Sequence, residues 1–475
     1  MSTLLAHPET ADAIADADAV VALVGGYDGA GNFGDIALLD AARSLIERLG
    51  GGVLALPVVS QSQLAAHRGR DERPVLVFGE PADDLIAVTA PAAPSALYIY
   101  GGGYLNASFG PLRLAMAEAA ERQLAVTVRV ASGLQADADW APAAAELLAR
   151  CAFVGARDPE SASALPGAVL TGDDAIAVLP APSGAEPEPR VNAHFADHPW
   201  TTHDAGATEE RWLTAIAAIE GKPVVQPVIA YDDATTSDRP ALERFARRCA
   251  ELGHEIAEPV VLRGGDTLPG AAAVLERASL TLSCSFHVAL TTLMLGVPTK
   301  LAADTPYYEQ KAAGLRADFG LNGHGIARSK LLERAARLRT RRARVEGDLL
   351  AALGGGLLTG ATARLAERAQ DAVALRAQLA QLRLGLQAAQ REVTNPLLPA
   401  DARLAVEEAA ARADASRAAR ASEQARRRAA EVRIGELESA IEGLQEQLDV
   451  VYSSRSWKLT RPLRAMRSER PGSTL

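Results

Sequence analysis

The stretch VVALVGGYDGAGNFGDIALLD, residues 20–40, decides the fold class of this chain. Residues 20–24 form a short apolar, β-branched run that is typical of a buried strand. Five glycines follow, the last being Gly34, and an Ala- and Leu-rich pattern predicts a helix over residues 36–49. A Gly-rich strand-to-helix turn presents backbone N–H groups to an anion. The turn is therefore a candidate ligand loop, or a tight turn in which Asp35 is a helix N-cap.

The same alternation of strand and helix continues along the chain. We predict further strands at residues 75–78, 97–100 and 126–130 and helices at 112–123 and 141–150. The Pro-rich stretch APSGAEPEPR, residues 181–190, predicts a linker, and strands resume at 191–195, 223–229, 280–283 and 298–302. Alternating strands and helices indicate parallel sheets covered on both faces. We therefore predict two α/β domains, residues 19–180 and 191–335, with a ligand cleft between them.

The aromatic residues indicate where the α/β part ends. None of the 20 aromatic residues lies between Phe319 and Tyr452, so a normal packed core is not expected in that gap. Apolar residues spaced by three and four at 375–393 and 434–451 predict coiled-coil seams. We predict a helical region over 336–451, broken by the prolines of 395–399, that sets a homo-oligomer or binds a partner.

Composition excludes several classes of protein. The net charge of −10 argues against general nucleic-acid binding, because a phosphate polyanion needs a basic surface. The three cysteines are far apart, and the eight histidines show no metal-ligand spacing, so neither disulfides nor a metal site is expected. The N-terminus does not match a secretion signal, and no apolar run reaches the length of a membrane span. We expect a cytoplasmic protein without a cofactor.

Further candidate site residues follow predicted strands. The loop GGGYLN contributes Gly102, Gly103 and Asn106, and Gln135 follows the next strand. Arg157 ends another strand, with Asp158 as a possible N-cap before a proline. In the second domain, His287 follows the strand at 280–283, where it is either a proton-transfer group or a structural histidine.

Taken in order, these motifs resemble the polysaccharide pyruvyltransferase family over roughly residues 20–325. The motifs are NFGD at 32–35, GGGYLN at 101–106, the ARD-x-x-S segment ending at Ser161, GDDA at 172–175, the S-x-S-F-H segment leading to GVP at 296–298, and YYEQK at 307–311. The resemblance implies two Rossmann-like domains in a GT-B-like arrangement. It also implies transfer of pyruvate from phosphoenolpyruvate to two hydroxyls of a sugar, as a ketal, during cell-surface polysaccharide synthesis.

The resemblance also implies site residues. His287 falls on the catalytic histidine of the family, and Asp35 lies in its first-domain ligand loop. We predict His287 and Asp35 as the catalytic residues. The expected substrate-binding residues are Asn32, Gly34, Gly102, Gly103, Asn106, Gln135, Arg157, Ser283, Ser285 and Lys311. Of these, Arg157 and Lys311 are chosen for their charge, as cations available to an anionic donor.

One position departs from the family pattern. The best-known donor motif of the family reads Arg-x-His, and Ser285 stands at the arginine position here. The sequence therefore leaves the identity of the donor substrate open. A GT-B-like glycosyltransferase that uses a nucleotide sugar and a non-catalytic glycan-assembly scaffold are the alternatives.

The tail, residues 452–475, resembles endings of bacterial proteins that build surface polysaccharides. Six arginine or lysine residues recur at every third position from Arg455 and interleave with Trp457 and leucines. This pattern predicts contact with the inner face of an anionic membrane or with a partner, the alternative being a solvated tail. The expected acceptor is a saccharide or a lipid-linked saccharide.

Overall fold

The computed structural model describes residues 2–27, 31–50, 52–69, 71, 73–91, 93–137, 139–197, 205–233, 236–303, 306–321 and 326–393, with the side chains of 306–307 and 361–393 left out. The chain divides into two units, residues 1–370 and 371–475.

A first sheet is built from the N-terminal half of the chain. Its strands are β1 (Thr3–Ala6), β2 (Ala19–Val24), β3 (Val53–Ser60), β4 (Leu76–Gly79), β5 (Ile86–Ala87), β6 (Ser95–Ile99), β7 (Gly102–Leu105), β8 (Val128–Ala136), β9 (Phe153–Ala156) and β10 (Val169–Leu170). Their order is β10-β9-β8-β6-β2-β3-β4-β1-β5, with β7 also beside β8. The pairs from β10 to β4 are parallel, whereas β1 runs antiparallel to β4 and β5.

A second sheet follows. Its strands are β11 (Glu188–His194), β12 (Val224–Ile229), β13 (Val260–Val261), β14 (Ala278–Ser283) and β15 (Thr299–Leu301). Their order is β13-β12-β11-β14-β15, and all four pairings are parallel. The central strand β2 is buried at all six positions, as its unbroken apolar run predicts.

Helices cover both faces of each sheet. They are α1 (Pro8–Asp16), α2 (Phe33–Glu47), α3 (Leu64–Arg68), α4 (Gly110–Gln123), α5 (Ala141–Ala149), α6 (Pro159–Ala164), α7 (Ala205–Ala217), α8 (Arg239–Glu251), α9 (Leu268–Leu275), α10 (Phe286–Met294), α11 (Pro306–Phe319) and α12 (Arg328–Val393). One core runs between the two sheets, with Leu38 of α2, Leu290 of α10 and Leu349 of α12 in the same cluster. The fold is therefore the predicted α/β class.

Two predicted domain limits do not coincide with the ends of the strands in the structure. The first sheet already includes β1, which lies before residue 19, because Leu4 and Leu5 are completely buried beside β4. Strand β11 begins at Glu188, inside the predicted linker 181–190, where Glu188 N donates to Arg277 O. Neither feature has a local signal, because both depend on partner strands distant in sequence.

The expectation that the aromatic-free gap contains no packed core is wrong for the first part of α12. Leu331, Leu338, Leu349 and Leu353 are all at most 5% exposed and belong to the core between the sheets. Helix α12 contributes aliphatic side chains to this core, and aromatic side chains such as Phe319 and Tyr98 come from other elements. The absence of aromatic residues after Phe319 is therefore a poor guide to where the core ends. The seam at 375–393 falls in α12, where only the backbone is described, and residues 394–475, with the 395–399 break, the second seam and the tail, lie outside the described residues.

Main-chain hydrogen bonds connect the two sheets at their carboxyl ends. Phe33 N donates to Ala230 O at 2.8 Å, and Asp232 N donates to Gly31 O at 3.2 Å. Asn32 and Tyr231 form an antiparallel bridge between these bonds. The turn after β2 thus lies against the loop after β12, which is the GT-B-like arrangement. Among the described helices, none is long and apolar enough to cross a membrane.

Candidate active site

His287 lies where the two sheets meet. It occupies the first turn of α10, which begins where β14 ends, and its ring packs directly on Gly34 of the NFGD turn. A side chain at position 34 would overlap the imidazole, so glycine is required there for close approach. The side chain of His287 is 14% exposed. The predicted catalytic histidine and the predicted ligand turn are therefore in contact.

A carboxylate that we had not assigned as a site residue faces His287. Asp173, from the GDDA segment, places Oδ2 3.5 Å from His287 Nε2 and 3.4 Å from Arg157 Nη1. Burial by itself would raise the pKa of Asp173, but His287 and then Arg157 lower it to about 2. Asp173 is therefore an anion that orients the histidine. The signal available in the sequence was the pair of acidic residues after a glycine, at the end of a short strand.

Arg157 and Gln135 occupy adjacent positions on neighbouring strand ends. Arg157 N donates to Leu134 O at 2.8 Å, which places residue 157 next to residue 135 across the β8–β9 pairing. Both side chains are buried, with Arg157 5% and Gln135 1% exposed. Arg157 Nη2 and both amide atoms of Gln135 have no hydrogen-bond partner among the described residues. Such groups are costly to bury unless something satisfies them, so they indicate a polar ligand.

The guanidinium of Arg157 also lies against the ring of Phe286. Its Cζ is 4.3 Å from the centre of the Phe286 ring, between Ser285 and His287 in sequence. The first domain thus brings a cation to the segment whose own arginine is missing. Ser285 instead caps α10, accepting from Val288 N at 3.4 Å, and Ser283 Oγ bonds to the backbone of Ser285. Both serine hydroxyls are therefore used within their own turn.

Lys311 adds a second cation from α11. Burial and, next, the charge of Arg157 lower the pKa of Lys311 to about 7, while Asp35, Asp173 and Asp137 act to raise it. Its neighbour Gln310 donates to Asp158 Oδ1 at 3.3 Å and to Ser161 Oγ at 3.2 Å. These bonds reach from α11 to the first domain, so Lys311 lies in the same interdomain region as Arg157.

The NFGD turn has both structural and site roles. Asn32 caps α2, accepting from Gly34 N at 3.1 Å, and its Nδ2 donates to Asp35 Oδ2 at 2.8 Å. Asp35 packs against Gly26 of the preceding glycine pair. The turn is held rigidly, with the carboxylate of Asp35 on its β2 side and the ring of His287 on Gly34.

The GGGYLN loop contributes less than predicted. Gly102 and Gly103 open β7, which pairs with β8. Asn106 donates to Gly103 O and accepts from Ser108 N and Phe109 N, all at 2.9–3.0 Å. The side chain of Asn106 therefore makes its hydrogen bonds within the loop before α4. This geometry gives no support to the prediction that Asn106 binds substrate. The signal was available, because Asn is common where a loop turns into a helix.

The arrangement provides three chemical functions. His287 can donate and accept a proton, and Asp173 orients it. Arg157 and Lys311 provide positive charge, and Gln135 provides a neutral donor and acceptor. A buried site with these groups suits an anionic substrate that gains a proton and loses an anionic leaving group.

Solved structures similar to the chain include a UDP-N-acetylglucosamine 2-epimerase from Rickettsia bellii, at 12% identity, covering 70% of this chain and 96% of that one with a TM-score of 0.37. Another is an E. coli heptosyltransferase with ADP, at 17% identity, covering 61% and 89% with a TM-score of 0.32. No curated protein matches.

The family model gives the decisive result. The model for polysaccharide pyruvyl transferase matches residues 32–299, which is more than half of the 475 residues. The match contains the NFGD turn, Arg157, Asp173 and His287. The chain belongs to the polysaccharide pyruvyl transferase family.

Proposed function

We propose that this member of a polysaccharide-modifying transferase family moves pyruvate from phosphoenolpyruvate onto two hydroxyls of a saccharide, forming a cyclic ketal for a cell-surface polysaccharide. The observation that carries the proposal is the grouping of His287, Asp173 and Arg157 between the sheets, with one nitrogen of Arg157 left unpartnered in the described residues. A proton donor next to an unsatisfied buried cation is what an enol phosphate requires.

The chemistry can be written with these residues. The imidazolium of His287 gives its proton to the methylene carbon of phosphoenolpyruvate, which becomes the methyl group. The oxocarbenium centre that forms at the neighbouring carbon is attacked by one saccharide hydroxyl, whose proton returns to His287. Phosphate leaves with its bridging oxygen, and the second hydroxyl closes the ring. The proton of the second hydroxyl leaves with phosphate, so the protons balance.

Asp173 makes the histidine suitable for this work. Its carboxylate oxygen lies 3.5 Å from Nε2 of His287 and would hold the orientation of the ring against Gly34. We assign Asp35, which follows Gly34 and packs against Gly26, as the carboxylate that faces the acceptor hydroxyls. Arg157 and Lys311 would neutralise the carboxylate and phosphate of the donor, in place of the arginine missing at Ser285.

The test uses the purified full chain with phosphoenolpyruvate and a saccharide acceptor. We expect phosphate release together with a gain in acceptor mass equal to pyruvate less one water. His287→Ala should abolish both signals, and Arg157→Met should raise KM for phosphoenolpyruvate by about tenfold or more, since a charge-assisted bond is lost.

Two controls match these variants. His254→Ala removes a histidine whose Nδ1 bonds the Pro223 carbonyl, and Arg122→Met removes a 63% exposed arginine on α4. Neither should change the rate. Cleavage of a nucleotide sugar without turnover of phosphoenolpyruvate would replace the proposed donor, and turnover that survives His287→Ala would remove His287 from the chemistry.

A further inference from the structure

The residue beside Asp173 connects the site to the long C-terminal helix. Asp174 is completely buried and accepts hydrogen bonds from Gly101 N at 2.9 Å, Ser132 Oγ at 2.7 Å and Tyr98 Oη at 3.2 Å. Its charge is compensated by Arg342 of α12, whose Nη1 bonds both Asp174 and, at 3.0 Å, Ser132 Oγ. Arg342 is 1% exposed.

Asp174 fills the space between two turns of the first sheet. Gly133 has φ +63°, and a Cβ there would come 2.6 Å from Asp174. A Cβ on Gly101, at the start of the GGGYLN loop, would come 3.2 Å from the same carboxylate. One buried side chain thus fixes the loops after β6 and within β8, and it does so as an anion that needs a partner.

Helix α12 holds the GDDA segment at other points as well. Arg341 Nη2 bonds Asp318 at 2.7 Å and lies against Gly172, and Arg339 Nη2 donates to Pro180 O at 2.6 Å. Residues 172–180 therefore lie along one turn of the helix. Asp173, which contacts His287, is the second residue of this held segment.

We infer that Arg342 is a positioning residue of the active site: through Asp174 it fixes both Asp173 against His287 and the GGGYLN loop. The helix that follows the second domain is therefore part of the catalytic framework. The rate readout of this inference rests on the proposed function, whereas a hydrogen-exchange readout does not.

The test compares the full chain with Arg342→Met, Arg342→Lys and a matched control, Arg337→Met. Arg337 lies on the same helix, but its side chain is 73% exposed and pairs with Glu333. Amide exchange is followed in peptides covering residues 98–106 and 171–178 and, as an internal reference, in β12. kcat and KM for phosphoenolpyruvate are measured in parallel.

Arg342→Met should raise exchange about tenfold or more in those two peptides but not in β12, since local opening need not involve the whole unit. It should lower kcat by about tenfold or more with little change in KM, because the misplaced group is Asp173 rather than a donor contact. Arg342→Lys, which keeps the charge, should recover most of the kcat, and Arg337→Met should match the wild type.

A milder variant covers the case in which Arg342→Met does not fold. Ser132→Ala removes one hydroxyl of the network and should give the same pattern of exchange with smaller amplitude. Increased exchange confined to α12, or spread evenly into β12, would overturn the inference, because Arg342 would then only stabilise the helix or the fold. An absence of turnover in the wild type would refute the proposed donor and leave the exchange result to decide on Arg342.

Discussion

Asp173 contacts two side chains from different parts of the chain. His287 comes from the second domain and Arg157 from the first, and both are within 3.5 Å of the same carboxylate oxygen. A single carboxylate thus joins the histidine to the arginine. Replacing Asp173 leaves the buried guanidinium of Arg157 without this counterion, which is costly.

Asp173→Asn should destabilise the protein in a pH-dependent way. The pKa of Asp173 in the folded protein is lowered to about 2 from an ordinary value of 3.8. The ionised carboxylate therefore contributes fully to the free energy of unfolding above pH 3.8, and this contribution is lost as the pH falls through about 2. We expect a deficit on the order of 2 kcal/mol in the free energy of unfolding at neutral pH. Urea unfolding at several pH values should show this deficit shrinking between about pH 4 and pH 2. A deficit independent of pH would mean that the carboxylate is not the anion described.

Lys311 predicts a pH dependence of donor binding. Because burial and Arg157 lower its pKa to about 7, the lysine loses its charge as pH rises through neutrality. KM for phosphoenolpyruvate should therefore rise between about pH 6 and pH 8 in the wild type. The rise should be smaller in Lys311→Met, which has no lysine charge to lose. Lys300→Met, which removes an exposed lysine of β15, is the control. Equal pH profiles for Lys311→Met and the wild type would remove Lys311 from donor binding.

At the scale of single elements, the helix α10 shows what Ser285 does in the structure. Ser285 serves as its N-cap, a role that serine performs well. The arginine near this segment is Arg157, which lies against Phe286.

Ser285→Ala should therefore affect stability rather than binding. We expect a loss of about 1 kcal/mol in the free energy of unfolding, at most, because the capping bond is long at 3.4 Å. Ser285→Thr keeps the accepting oxygen and should stay close to the wild type. Chemical unfolding and KM for phosphoenolpyruvate distinguish the roles: wild-type stability with weakened donor binding would assign Ser285 to the substrate.

The elements also show what sequence reasoning can reach. Strands such as β2 and β14 can be predicted because apolar, β-branched runs followed by Gly or Ser define them locally, and His287 is a candidate because it follows such a run. The proximity of Asp173 to His287 cannot be predicted locally, since the two residues are 114 positions apart in the sequence. The position of Asn106 before a helix fits a turn as well as a ligand contact, and the structure shows its side chain bonded within the turn.

At the scale of the whole molecule, the length of α12 changes how the C-terminal region should be dissected. A truncation near residue 340 follows the change in composition, beyond which aromatic residues are absent up to Tyr452, but it does not follow a boundary in the packing. It would remove Arg342 and the buried side chains of Val345, Leu349, Leu353 and Leu357 from the core.

A chain ending after residue 340 should fail to fold, whereas one ending after residue 370 should unfold near the wild-type temperature. Four buried aliphatic side chains contribute about 2 kcal/mol each, which is comparable with the total stability of a domain. Circular dichroism and thermal unfolding test this. Sedimentation of the chain ending at residue 370 then tests the coiled-coil prediction. If the predicted seams after residue 370 hold the oligomer together, the shortened chain should be a monomer. A folded, cooperative protein ending at residue 340 would contradict the core described for α12.

The connection between the two sheets uses main-chain atoms, so it does not depend directly on which side chains stand at these positions. Residues 31–33 and 230–232 are held together by N–H and C=O groups that almost every residue possesses. Exchanging the side chain of Tyr231 therefore leaves these main-chain bonds in place. Variation of the amino acid at position 231 is thus compatible with a constant spacing between the two sheets.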